Sequence, residues 1–249
     1  MRRRVRDAAC VFRIHLARLR AEAGPFLLAA LVFPVAMFWF ASRVSGVRAG
    51  DPKSLGFLAG AVVFSISLTA ISWLGYLLLE NRFTGRLKLF ATLPLAPSSY
   101  VFGILIFAVA QAAAGTATLL VVARAVGVRA RLDATGASLL GATVALTMLC
   151  LCGVSVVIAA RARSFAEGTL YTDALGAGLV ILAPVFYPAD ALPRAVGAAA
   201  AWLPTSCAAR AAETTLAGGH AVAPQLLALA LMSVAALALG FRLMRWRED

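Results

Sequence analysis

The sequence predicts an all-α integral membrane protein. It should have six transmembrane helices, an N-terminal amphipathic interfacial helix, and short re-entrant external helices between the fifth and sixth spans. Three observations predict it. The chain is 62% hydrophobic and 14% charged over 249 residues, with mean hydropathy +0.89, whereas a soluble domain is roughly half apolar and a quarter charged. Six apolar runs, near 25–42, 55–79, 99–123, 134–160, 168–187 and 222–244, are about the length that crosses a hydrocarbon core as helix, roughly 20 residues. With both termini inside, 15 of the 23 basic residues fall on the cytoplasmic side and 8 outside, which is the positive-inside asymmetry. The spans consume most of the chain, so residues 1–249 read as a single membrane domain.

Residues 1–24 begin MRRRVRDAAC, but the apolar run starts only at Pro25 and no small-residue cleavage site follows, so no cleaved signal is read. Val5, Ala9, Phe12, Leu16, Leu19 and Ala23 recur at steps of three or four, while Arg6, Arg13 and Arg20 recur on another face. That pattern is an amphipathic helix lying in the interface with its arginines toward headgroups. His15 reads as a plain surface histidine. The net charge of +12 thus reports topology and contact with anionic membrane lipid rather than nucleic acid.

The first span contains Pro34, expected to kink it, and ends in Phe38, Trp39 and Phe40, aromatics suited to an interface. The second, Leu55–Leu79, carries no charge and exceeds the core thickness, so it should tilt or project toward Glu80. Gly56 and Gly60, with Ser65, Ser67, Thr69 and Ser72, are the small and polar residues that let helices approach and hydrogen-bond across to one another. In the third span Gln111 must face other helices or a wet cavity. The fourth ends at Arg161 and Arg163; Glu167 and Asp173 flank the start of the fifth, where negative charge suits the helix dipole. Residues 188–221 form an external segment in which Ala195–Leu203, apolar but too short to span, lies between Pro193 and Pro204. His220 and Glu213 there read as a stray loop pair. Cys10, Cys150, Cys152 and Cys207 are scattered and imply neither a disulfide framework nor a metal site.

Between the second and third spans, residues 80–97 read ENRFTGRLKLFATLPLAP. Glu80, Arg82, Arg86 and Lys88 fall within about two helical turns, and Phe83, Leu87 and Phe90 share a face. The residues themselves allow two readings: a solvated loop with interfacial anchors, or a short amphipathic helix on which a partner acts.

Familiar membrane-enzyme signatures are missing from the sequence. Its two histidines, His15 and His220, lie at opposite ends of the chain, which excludes HExxH. Neither Lys53 nor Lys88 follows the glycine a P-loop requires. No G-x-S-x-G elbow occurs. An active transporter of this sequence must draw its energy from another polypeptide.

Three stretches in order carry a family resemblance: ENRFTGRLKLFATLPLAPSSYVFG, SVVIAARARSFAEGTLYTDAL and PVFYPADALPRAVGAAAAWLPTSCAARAAETTLAGG. Together, over about residues 55–220, they are similar to the type-2 ABC exporter permeases. The resemblance implies a permease subunit, not itself an enzyme, moving an amphipathic, drug-like or lipid-like substrate out of the cytoplasm. It also implies pairing with a second permease copy or paralogue and with a separate ATP-binding subunit that carries ATP and Mg²⁺. No cofactor is expected on this chain, and a bacterial plasma membrane is its expected location. Under that resemblance Glu80, Arg82, Phe83, Gly85, Arg86, Leu87 and Lys88 are the principal coupling contact. Arg161, Arg163 and Glu167 form a secondary one, and Pro188, Pro193 and Pro204 mark the external re-entrant segment. Two alternatives stand beside it: a non-transporting anchoring or assembly subunit, and a lipid-metabolising membrane enzyme, which the missing acid, His and metal constellations disfavour.

Overall fold

Span length and small-residue placement set the architecture. The computed structural model describes residues 2–21, 24, 32–47, 51, 53–86, 89, 92, 97–182 and 193–243. Among them there is no strand, and nine helices follow in order: α1 (Arg2–Ala21), α2 (Phe33–Val44), α3 (Lys53–Phe83), α4 (Pro97–Ala125), α5 (Ala134–Arg161), α6 (Phe165–Leu182), α7 (Arg194–Ala200), α8 (Pro204–Leu216) and α9 (Ala223–Leu243). Four of them, α3, α4, α5 and α9, are long and apolar enough to cross a membrane. The chain is an all-α multi-pass membrane protein. Residues 25–31 and 183–192, which hold the start of the first predicted span and the end of the fifth with Pro184 and Pro188, lie outside the described residues. Pro34 lies two residues after Val32, which already has helical backbone angles, and the residues before Val32 lie outside the described ones, as does the turn that a kink at Pro34 would affect.

The centre of the bundle is α3. Its apolar window is 72% buried, against 17% for α9 at the periphery. At about 1.5 Å per residue its 31 residues reach about 46 Å, half as long again as a hydrocarbon core. Around it stand α2, α4, α5, α6 and α8. Through Leu68–Trp73 the helix widens to a π turn, which loosens the carbonyl ladder. The buried Ser155 hydroxyl of α5 donates to Ala70 O at 2.7 Å, so the distortion is met by a side chain from the neighbouring helix. Ser67, expected to bond across helices, instead donates to Val63 O of its own helix at 2.9 Å.

Contact between α5 and α9 depends on glycine. A Cβ on Gly153 would come within 2.7 Å of Ala236 Cβ and 2.8 Å of two backbone atoms, and one on Gly240 within 2.9 Å of Val156. The two backbones are therefore nearly in contact, as small residues allow in membranes. Ser233 Oγ adds a bond to Leu146 O at 2.8 Å.

From Pro193 on, the segment expected to be external and re-entrant forms two helices. Pro193 caps α7, and Pro204 opens a second helix, α8, the favoured place for proline. The small residues of α8, from Thr205 to Ala212, are largely buried against α3, α5 and α9. Cys207, read as standing alone outside, is buried there in a cluster with Val63 and Leu229. At that same end His220 Nε2 lies 3.1 Å from Asp133 Oδ1, the N-cap of α5, so its described partner is Asp133 and not Glu213. The Asp133 carboxylate is held below the usual range by the Gly136 amide first and His220 second. Glu213 instead lies over Gly56, whose lack of a side chain makes room for it.

Candidate functional site at the Glu80 end of the bundle

The charged stretch after the second span begins as a continuation of α3. The α3 helix continues through Glu80, Asn81, Arg82 and Phe83 and stops where Gly85 adopts φ +74. That left-handed conformation is cheap only for glycine, and it closes the helix with Thr84 N to Glu80 O at 2.9 Å and Gly85 N to Arg82 O at 3.3 Å. The expected amphipathic helix over residues 80–89 is thereby divided: its first half is the tip of α3, and beyond the turn Arg86 and Leu89 are helical again, with Leu89 N bonded to Gly85 O at 3.3 Å. Arg86 follows the turn, while Leu87, Lys88 and Phe90 lie outside the described residues.

Three neighbours are tied to that tip. Glu80 accepts from Arg18 of α1 at 2.9 Å on one oxygen and pairs with Arg86 at 3.0 Å on the other. Asn81, buried, donates to the Tyr100 hydroxyl at the start of α4 at 3.0 Å. Arg82 donates to Ala159 O at 2.6 Å and Ala162 O at 2.9 Å. These are carbonyls at the C-terminal end of α5, where a cation opposes the helix dipole. Arg18 and Glu80 are each about a third exposed, so their pair is worth on the order of 1 kcal/mol or less. Its consequence is positional: a movement of the α3 tip is shared with α1, α4 and α5.

The second predicted contact lies beside the first. Arg163 N donates to Glu167 Oε2 at 2.7 Å and Glu167 N bonds Ser164 Oγ at 3.1 Å, a reciprocal capping box opening α6. Tyr171 adds a bond to Glu167 Oε1 at 3.1 Å. Glu167 therefore holds a helix start in place, while Arg161 and Arg163 are exposed. A Cβ on Gly168 would strike Leu79 Cδ2 at 2.3 Å, so α6 lies directly on the end of α3. Arg82 and this contact join the two predicted regions. Of the external prolines, Pro193 and Pro204 sit at the opposite end and Pro188 is outside the described residues.

What sequence reasoning missed is the role of α1. Its buried face is Ala8, Val11 and His15 rather than the face through Ala9, which is exposed. Val11 seats on Gly103 of α4, where a Cβ would lie 2.6 Å from Val11 Cβ. His15 is 5% exposed, not at the surface, with its ring 5.7 Å from Phe107 and its Nδ1 unpartnered. The spacing Val11, His15, Arg18 held the signal. Burial, then nearby Arg18, lowers the His15 pKa to about 4 from 6.5. Undocked, His15 takes a proton near 6.5; docked, near 4. Between those values the undocked helix binds more protons, so docking weakens as pH falls, by on the order of 3 kcal/mol in full. A fluorophore on Cys10, the one exposed cysteine, is expected to lose anisotropy as pH drops from 6.5 toward 4. In His15→Phe the profile should be flat, and a flat profile in the parent chain would contradict the docking.

A search among curated proteins finds no match to this chain. The family model described as ABC-2 type transporter matches residues 9–216, a stretch that runs from α1 through the Glu80 cluster to the last residue of α8. That match covers most of the chain, which belongs to the ABC-2 type transporter family as an ABC transporter permease, the transmembrane component.

Proposed function

We propose that the chain is the membrane half of an ATP-driven exporter, moving an amphipathic, drug-like or lipid-like substrate out of the cytoplasm. A separate ATP-binding subunit, holding ATP and Mg²⁺, works it from the Glu80 end. In this reading the single domain has six spans, with α2 and α6 belonging to the first and fifth. Both termini and residues 80–97 are cytoplasmic, α1 lies in the interface, and residues 188–221 are an external re-entrant segment in a bacterial plasma membrane. Two permease copies, or this chain and a paralogue, enclose the substrate between them.

The observation that carries the proposal is α3 with its tip: one helix of 31 residues ending in Glu80, Asn81 and Arg82, each bonded to a different helix. A push on that tip is transmitted along the central helix of the bundle rather than absorbed by a loop. Residues Glu80, Arg82, Phe83, Gly85, Arg86, Leu87 and Lys88 form the principal docking surface, with Arg161, Arg163 and Glu167 beside it. Co-purification of the detergent-solubilised chain from its host tests this. A stoichiometric ATP-binding subunit is expected; its absence under conditions that preserve complexes would favour a non-transporting anchoring subunit.

A further inference from the structure

In the six-span reading Asp173 lies within a membrane helix, where a carboxylate is rare and marks function. It lies eight residues into α6, about 12 Å beyond the helix start and past the first turn where the dipole favours an anion. It was expected to serve the helix N-terminus; that part belongs to Glu167. Of the described carboxylates, Asp173 alone lies in the body of a predominantly apolar helix, the one the six-span reading takes as the fifth span. Asp7 is in α1, Asp51 and Asp133 precede helices, Glu80 and Glu167 lie at helix ends, and Glu213 is in α8. Its side chain is exposed, and among the described residues no arginine or lysine pairs with it.

Its described partner is the Tyr76 hydroxyl of α3, which donates to Asp173 Oδ1 at 2.5 Å, the length of a charge-assisted bond. Around this pair the two helices present a narrow polar strip. On α6, Thr169, Asp173 and Gly176 recur at helical spacing on one face. On α3, Ser72 and Tyr76 do the same, all but Asp173 half-buried. Gly176 faces the Ser72 hydroxyl across the two helices, a Cβ there standing 3.7 Å from it, an ordinary contact distance. Thr172 packs against Gly75 beneath it. Within a span an exposed carboxylate is costly unless water or a cation meets it, and a tyrosine beside a carboxylate is a side-chain pair suited to an organic cation.

We infer that the Tyr76–Asp173 strip between α3 and α6 is a binding site for the positively charged group of a lipophilic cation. It deepens the export reading by giving the charge of the substrate, and rests on that reading for α6 as a span and for what becomes of the bound cation. Asp173→Asn is nearly isosteric and keeps an oxygen to accept from Tyr76, so it removes charge without removing the bond.

The test uses the full chain in lipid nanodiscs, with tetraphenylphosphonium and its shape-matched anion tetraphenylborate, each read above empty discs. Saturable binding of the cation and none of the anion is expected. Asp173→Asn should weaken cation binding at least about tenfold, and Asp173→Glu should retain most of it. No saturable cation binding by the parent chain, an unchanged affinity in Asp173→Asn, or equal binding of the anion would each overturn the site. The assay contains neither nucleotide nor ATP-binding subunit. A failed cation site therefore leaves the export reading standing, and failure to find an ATP-binding subunit leaves saturable cation binding unexplained by export.

Discussion

Replacing Glu80 with alanine is expected to leave the chain inserted and folded, while lowering substrate-stimulated ATP hydrolysis of the assembled transporter roughly five- to tenfold, the scale of a modest coupling free energy. Alanine is a good helix former, so the end of α3 survives. What is lost is the shared anchor: Arg18 and Arg86 hold opposite oxygens of this one carboxylate at 2.9 and 3.0 Å. Arg18→Ala and Arg86→Ala should each have a smaller effect. Neither should add to Glu80→Ala in a double variant, because residues sharing a partner are not independent. ATPase assays on reconstituted complexes with and without substrate give the measurement. Unchanged coupling in Glu80→Ala and Arg86→Ala would remove the docking assignment while leaving family membership intact.

The second large effect is on the fold. Gly153→Ala places its Cβ within 2.8 Å of backbone atoms at Ala236 and Leu237, which cannot rotate away as a side chain would. Separating α5 from α9 also strains the Ser233 bond to Leu146. A loss of about 2–3 kcal/mol is expected, the range for overpacking, read as a lower unfolding temperature in detergent. Gly141→Ala, on the same helix with nothing within 4 Å of the new atom, is the control and should be neutral or slightly stabilising. Equal behaviour of the two would contradict the α5–α9 contact.

Much of this architecture is legible in the sequence because bilayer thickness leaves few choices. The apolar runs that became α3, α4, α5 and α9 announce themselves by length, and the glycines and serines between them mark close helix approach. Helix ends were harder to read. The alternation of charge and apolar residues continues from Glu80 past Phe83, so periodicity alone runs one helix through Gly85, and only the backbone angle there divides it. In α8, alanine, serine, threonine and cysteine give little hydropathy contrast, yet smallness is what lets that helix bury itself. His15 was misjudged for a related reason. An amphipathic helix beside a membrane can face lipid or protein, and nothing local distinguishes Val11 on lipid from Val11 on Gly103. Asp173 was assigned to the helix dipole by proximity in sequence, although the start of α6 already has its carboxylate in Glu167.

Docking of an ATP-binding subunit at the α3 tip is tested most directly by photo-cross-linking. Benzoylphenylalanine at Phe83, an exposed aromatic at the tip, is nearly conservative; the same residue at Trp202, exposed at the opposite end, serves as the comparison. Irradiation of the native complex should join the ATP-binding subunit to the chain from position 83 and not from position 202. An adduct from position 202 alone, or from neither while the subunit still co-purifies, would contradict docking at the Glu80 end.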